Sequence, residues 1–285
     1  MKNTRLKSIF IIPAFVLSAV LLSISIFLLF AIEGHFLVLI APLLSCLPFP
    51  VFLTIFVIFK RVRTSENLPL LLLVSFAGTF ISMWHKYYEG IQSSFPLTVS
   101  CFGSLLLMIY IFWYSRYGRH ENIRLSVGSK FPDIEFTDLE GNLFQSSSSY
   151  GRSSIFIFYC GNWSPSCLAQ IDELYKRSQE LNDLNIVVNL ISSQSIELSK
   201  DLAIKYSIPF NFFVDHNGTI AEYLEIALKN GVPFGLVKKY GSDSLMPTLI
   251  VTNAQNTIVF TDQTNNYRVR PEPDVYLSIL RRARR

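Results

Sequence analysis

Residues 155–174 read IFIFYCGNWSPSCLAQIDEL. The run Ile155 to Tyr159 has the length and the β-branched and aromatic content of a buried strand. It stops at Cys160-Gly161-Asn162-Trp163, and Ser164-Pro165 then marks a helix start, with Ser as N-cap and Pro as first helical residue. Cys167 falls in the first turn of that helix. Unpaired backbone N–H groups and the helix dipole favour a thiolate there and lower the thiol pKa. Cys160, at the end of an apolar strand, has no such help and is expected to stay a thiol near neutral pH.

A strand, a short Trp-containing loop and a Cys at a helix N-terminus resemble the working corner of a thioredoxin-like fold. More narrowly, the stretch resembles the redoxin branch, the alkyl hydroperoxide reductase/thiol-specific antioxidant family that includes the peroxiredoxins. There the loop is spelled Trp-Cys-Pro-x-Cys, or Thr/Ser-x-x-Cys in peroxidases. Here it is Trp163-Ser164-Pro165-Ser166-Cys167, with Ser in place of the first Cys, and Cys160 stands where peroxiredoxins carry Pro. Further on, Phe131-Pro132-Asp133 and Phe136 to Gly141 resemble the entry hairpin of redoxins. Asn185 to Ile191 reads as a second buried strand. Leu202 to Ile208 reads as a helix stopped by Pro209, and Phe212 to Asp215 as a short strand before His216-Asn217-Gly218. Met246-Pro247-Thr248, ahead of the strand Leu249 to Thr252, looks like the cis-proline loop that faces the active Cys. The resemblance covers roughly residues 125–282.

It implies an α/β thioredoxin-like domain with Cys167 as nucleophile toward a peroxide O–O bond or a disulfide sulfur. Ser164 would hydrogen-bond the thiolate, or act as an ordinary N-cap. Trp163 would shield the site, and Pro247 with Thr248 would line the substrate pocket. Cys160 is either a resolving partner or a small core residue. The family also places an Arg beside its catalytic Cys, and no Arg stands near Met246-Pro247-Thr248 in the sequence. Alternation along Tyr267-Arg268-Val269-Arg270 would set Arg268 and Arg270 on one face of a strand. From there they would steer an anionic substrate or lower the thiolate pKa, or else form a charged surface strand.

Two redox reactions fit, with a non-catalytic role as third reading. In a peroxidase, Cys167 passes through a sulfenic acid and is reduced by Cys160 or by an external thiol. In a thiol–disulfide oxidoreductase acting on protein disulfides, Cys160 and Cys167 cycle as a pair. Ser164 removes the usual nucleophile of the second reaction, which favours the first. A binding or sensing module at the membrane is the third.

Half of the residues are hydrophobic, which points to membrane segments. They gather in the first part, at Ser8–Ile32, Phe36–Phe59, Leu68–Trp84 and Leu97–Ser115. Each is near the ~20 residues that cross a hydrocarbon core. The expected organisation is therefore a four-helix transmembrane region over residues 1–117, followed by the redoxin domain over 118–285. Pro42, Pro48 and Pro50 suggest a kinked or broken second span. Basic residues alternate with the spans: Lys2, Arg5 and Lys7, then Lys60, Arg61 and Arg63, then Arg116, Arg119 and Arg124. The intervening loops, Glu33-Gly34-His35 and His85 to Ser94, carry few charges. The positive-inside rule then places the redoxin domain of this multi-pass protein in the cytoplasm. Cys46 and Cys101 lie within spans and read as small packing residues. No cofactor or metal is expected, because the cysteines and histidines lack ligand spacing. The modest positive charge, including the tail Arg281-Arg282-Ala283-Arg284-Arg285, suits the lipid bilayer rather than nucleic acid.

Overall fold

The computed structural model describes residues 3–31, 36–88, 93–206, 210–215 and 217–283. The chain divides into two compact units, one of Ile9–Arg116 and one of Met1–Ser8 with Tyr117–Arg285. The loop at Glu33 to His35, the helix stop at Pro209, His216 and the last two arginines lie outside the described residues.

The first unit is helical. Its elements are α1 (Thr4–Ala31), α2 (Phe36–Cys46), α3 (Pro48–Ile58), α4 (Pro69–Tyr88) and α5 (Phe95–Ile109), the last continued by a π-turn over Tyr110–Tyr114. Among the described residues, three stretches are long and apolar enough to cross a membrane: Thr4–Phe30, Leu39–Ile58 and Phe95–Tyr114. The second is broken at Leu47, where Pro48 restarts the helix at a position whose N–H is not needed. Three of the four expected spans meet that measure; the fourth does not. The Leu68–Trp84 run does form a helix, but Ser75, Thr79, Ser82 and His85 dilute its apolar character.

Those polar residues face inward. The hydroxyls of Ser45 on α2 and Ser75 on α4 each donate to the other's carbonyl, at 3.1 and 2.9 Å. Ser104 Oγ on α5 lies 2.8 Å from both Ser75 Oγ and Thr79 Oγ1, and Ser82 pairs with Ser100 at 2.7 Å. Small residues permit the approach: a Cβ on Gly78 would meet Ala41 O, and one on Gly103 would lie 2.7 Å from Cys46 Sγ. Small residues with interhelical hydroxyl bonds are the packing mode of helices in lipid, where apolar contact alone gives little drive. Cys46 is buried in this seam. Cys101 is exposed on α5.

The second unit is built on one seven-stranded sheet of order β2-β1-β5-β4-β3-β8-β9. The strands are β1 (Glu135–Asp138), β2 (Leu143–Gln145), β3 (Ser153–Phe158), β4 (Ile186–Ser192), β5 (Phe210–Val214), β8 (Thr248–Thr252) and β9 (Ile258–Asp262). A two-stranded ribbon joins β6 (Ala227–Leu228) to β7 (Ser244–Leu245). β3, β4 and β5 run parallel, and β8 lies antiparallel to β3. Alternation along β3 fills two cores. Ile155, Ile157 and Tyr159 face one with Ile171 and Leu174 of α6 (Pro165–Tyr175) and Leu277 of α11 (Pro273–Ala283). Phe156 and Phe158 face the other with Phe131, Phe136 and Phe213. There Phe131 stacks on Phe156 at 4.4 Å between centroids. With both faces covered, β3 reads as a continuous apolar run. Four shorter helices complete the unit: α7 (Ser178–Asp183), α8 (Ile196–Lys205), α9 (Thr219–Tyr223) and α10 (Val237–Tyr240). Ser146–Ser149 forms a 3-10 turn with Ser146 and Ser149 buried.

Candidate active site

The sheet order decides what meets Cys160 and Cys167. Phe158, the last residue of β3, pairs with Thr248, the first of β8. The chain leaving β3 therefore lies beside the Met246-Pro247-Thr248 loop. Leu249 pairs in turn with Asp262 at the end of β9, so the turns after Asp262 return to the same end of the sheet. In open α/β sheets, sites form at this end, beyond the carboxyl ends of the parallel strands.

The loop between the cysteines is pinned from several sides. Trp163 Nε1 and Ser244 Oγ both donate to the Cys160 carbonyl, at 3.1 and 2.8 Å. Gly161 sits at φ 129°, a conformation that disfavours any residue with a Cβ. Asn162 N–H donates to Gln194 Oε1 at 2.9 Å, and Gln194 Nε2 donates back to Asn162 Oδ1 at 2.9 Å. Ser164 opens α6, but its hydroxyl makes no bond to the helix N–H groups. It lies 3.3 Å from Ser166 Oγ and acts to lower the Cys167 pKa.

Cys167 and Cys160 are 1% and 5% exposed, and both are free thiols. The two thiols influence each other's ionisation, with opposite consequences. Cys167 is lowered to about 6, chiefly by the hydrogen bond from the Cys160 thiol. Burial opposes the shift, while the Arg270 guanidinium, Ser164 and the Cys160 backbone add to it. Cys160 is pushed well above its ordinary value, first by its bond to Cys167, then by burial and by the negative charge of Cys167. One proton is thus shared unequally, leaving Cys167 as thiolate and Cys160 as thiol at neutral pH.

Arg270 is buried and faces Cys167, Tyr117, Asp262 and Cys160; burial lowers its pKa, yet these partners leave it above the ordinary value. Arg268 is fully buried on the turn two residues earlier, where its backbone N–H donates to Asn266 Oδ1 at 3.0 Å. The segment is a turn and not a strand, so the two arginines do not share a strand face, and neither is a surface charge. A second guanidinium, Arg119, donates to Pro247 O and Thr248 Oγ1, both at 3.2 Å, and to Gln263 Oε1 at 3.3 Å. Burial lowers its pKa, against the pull of Asp262. Pro247 and Thr248 are buried beside the site, and no cis peptide bond occurs among the described residues, so the cis expectation for Pro247 is corrected.

The structure thus brings together Cys160, Ser164, Cys167, Trp163, Pro247, Thr248 and Arg270. Sequence reasoning does not find Arg119, Tyr117 or Gln194. Tyr117 reads as the end of the membrane region and Arg119 as a basic residue after the last span; Gln194 follows β4 in a polar run without a motif.

Residues 127–261 match the AhpC/TSA family. Among curated proteins, the chain is 24% identical over 102 residues to peroxiredoxin Bcp of Bacillus subtilis, covering 36% of this chain and 65% of that protein. It is 26% identical over 98 residues to a putative peroxiredoxin bcp of Coxiella burnetii, covering 34% of this chain and again 65% of the relative. The chain thus spans just under two thirds of the length of these relatives. Among solved structures, peroxidoxin BcpB from Mycobacterium tuberculosis aligns with TM-score 0.46 and 15% identity, over 56% of this chain and 99% of that one.

Proposed function

The C-terminal part of the chain carries an AhpC/TSA redoxin domain of the peroxiredoxin-like kind, and from that premise we propose that the protein is a membrane-anchored thiol peroxidase. Cys167 is the nucleophile and Cys160 the resolving thiol. The Cys167 thiolate attacks a hydroperoxide, the O–O bond breaks, and the sulfur becomes a sulfenic acid while the leaving alkoxide or hydroxide takes a proton. Cys160 then attacks that sulfur. The S–O bond breaks, a disulfide forms, and the Cys160 proton leaves with the hydroxyl as water. Two equivalents of an external thiol reductant return the pair to the dithiol by exchange.

The observation that carries this reading is the opposed pKa shift of two buried, mutually interacting thiols, with Cys167 lowered to about 6 and Cys160 raised. A peroxidase needs one thiolate to react first and a neighbouring thiol to wait. Ser164 beside the thiolate supports it too, since a Cys at that position would compete for the first attack. The test is intact mass of the full chain after one equivalent of peroxide. Native protein should lose two hydrogens, and Cys160→Ser should gain one oxygen at Cys167. No change in either would remove the reading. A thiol–disulfide oxidoreductase remains the second reading, because the proximity of the sulfurs serves it equally. Faster oxidation by a protein disulfide than by peroxide would favour it.

All four helical stretches, α4 included, cross the bilayer in this proposal. Support comes from the hydroxyl ladder, which sets α4 at the depth of α2 and α5. Four crossings with basic loops at Lys60 to Arg63 and Arg116 to Arg124 put the redoxin domain in the cytoplasm. Three crossings would put it on the other face. A reporter fused after Arg285 separates the two: activity only in the cytoplasm is expected, and activity of a reporter that needs export reverses the assignment.

A further inference from the structure

Between β6 and β7 the chain makes an excursion from Val232 to Ser242. Its base is closed: Val232 N–H donates to Ser242 O at 3.2 Å, and Asn230 N–H donates to Asp243 Oδ1 at 2.8 Å. The tip is a 3-10 turn, Phe234–Leu236, that runs directly into α10. Leu236 N–H donates to Pro233 O at 2.8 Å, and Gly241 N–H donates to Val237 O at 2.9 Å, so the tip has a hydrogen-bonded shape of its own. None of its residues is buried. Phe234 is 70% exposed and Leu236 37%, and the exposed lysines Lys238 and Lys239 follow at once. Single apolar residues on a surface are ordinary. Here two of them share a short ordered tip with two cations, which is the composition of a segment that lies in a membrane–water interface.

The place of the loop points to the same partner. Ser8 Oγ donates to Val232 O at the base of the excursion. Ser8 belongs by its contacts to the redoxin unit and lies in the first turns of α1, whose Thr4–Phe30 stretch is long and apolar enough to cross a membrane. The loop is therefore bonded to the end of a candidate span, at the level where headgroups lie once that span is inserted. Arg5 and Lys7 stand at the same end of α1 and match the charge of Lys238 and Lys239. We propose that Pro233–Tyr240 is a membrane foot of the redoxin domain, with Phe234 and Leu236 entering the interface of an anionic bilayer and Lys238 and Lys239 meeting its headgroup phosphates. The inference rests on the membrane-anchored reading and adds a contact to it. Attraction between lysines and an anionic leaflet falls off within a Debye length, so the contact is short-ranged and weakened by salt. The chain leaving the foot reaches Ser244, whose hydroxyl donates to the Cys160 carbonyl at 2.8 Å. The foot thus holds the domain through the ribbon that also braces the loop between the cysteines.

The experiment places the full chain in lipid nanodiscs and reads backbone hydrogen exchange by mass. One set of discs is phosphatidylcholine; the other holds equal parts phosphatidylcholine and phosphatidylglycerol. Exchange over Phe234–Tyr240 should be about tenfold slower on the anionic discs, the order expected of two lysines at an anionic surface. High salt should remove most of that difference. Phe234→Ser should lose the protection through the apolar half of the contact, and Lys238→Glu with Lys239→Glu through the charged half. These side chains are exposed, so the fold should survive, and native exchange across β3 and β8 reports that it has. Equal exchange on the two lipids would overturn the inference. So would protection that grows with the ratio of chains to discs, which would assign the tip to a second copy. Both outcomes leave the membrane-anchored reading standing as long as the chain stays in the discs. A chain recovered free of lipid would overturn that reading as well.

Discussion

In the helical bundle, Ser45, Ser75 and Ser104 are buried with Thr79 beside them; at the end of β3, Cys160, Cys167 and Arg270 are buried with Tyr117 beside them. Both clusters take polar side chains out of water, and they do so by different chemistry. In the bundle, every one of these hydroxyls is neutral and bonds a carbonyl or another hydroxyl on a neighbouring helix. Such bonds offset desolvation without creating charge. At the sheet end the groups ionise, and burial alone would keep each thiol protonated. The Cys160 hydrogen bond and the Arg270 charge reverse that for Cys167 only. The first arrangement holds helices together; the second lowers the pKa of one thiol and raises that of the other. Mutations should therefore act by shape in one and by ionisation in the other.

The sharpest break of this comparison is Cys167→Ser. Peroxide consumption by the full chain should fall to the uncatalysed level, with the helical circular dichroism signal unchanged; residual turnover above about a tenth of native would move the nucleophile elsewhere. Next comes Gly78→Leu. Its Cβ meets the backbone of Ala41 and Ser45, which cannot yield as a side chain can, so α4 must separate from α2. Overpacking of this kind costs about 1–3 kcal/mol. The thermal transition of the detergent-solubilised chain should drop, and an unchanged transition would show that the helices do not meet there.

The third test concerns pH. A thiol lowered to about 6 stays a thiolate down to that pH, so alkylation of Cys167 should rise through pH 6 and level off above 7. Arg270→Met removes a buried positive charge and should raise that midpoint by about one unit, slowing the reaction at pH 6 about fivefold. Arg270→Lys should restore part of the shift, and an unmoved midpoint would mean the guanidinium does not act on Cys167. The smallest effect is expected from Ser75→Ala. One interhelical hydroxyl bond in a membrane bundle contributes about 0.6 kcal/mol, and the alkylation profile of Cys167 should not move. A changed profile would show that the clusters are not chemically separate.

The part of this architecture legible in the sequence is the part fixed by near neighbours. Ile155 to Tyr159, the break at Gly161 and the Ser164-Pro165 start are local signals, and they suffice to locate Cys167 at a helix N-terminus. Arg270 is legible as a candidate, but alternation suggests a strand, where the chain makes turns that bury both arginines. That burial follows from β9 pairing beside β8, a relation between residues far apart in sequence. Arg119 and Tyr117 escape a sequence reading for the same reason: they are brought in by hydrogen bonds to Asn265 and Gln263, and no periodicity announces such contacts. Ser164 is legible as a cap, yet its hydroxyl makes no cap bond and lies beside Ser166 Oγ. In the bundle, the hydroxyls of α4 weaken the membrane signal even though they are what joins it to its neighbours.

Arg119 occupies the Pro247 carbonyl from within the chain. The resemblance to thioredoxin-like proteins assigns that backbone edge to an incoming peptide. A ligand tethered to its own site presents itself at millimolar effective concentration or above, so a protein disulfide must compete with a resident guanidinium before it can align. A hydroperoxide uses no such edge and faces no such competition. In the proposed peroxidase, the internal occupant would contest the docking of large oxidants and leave small ones unopposed.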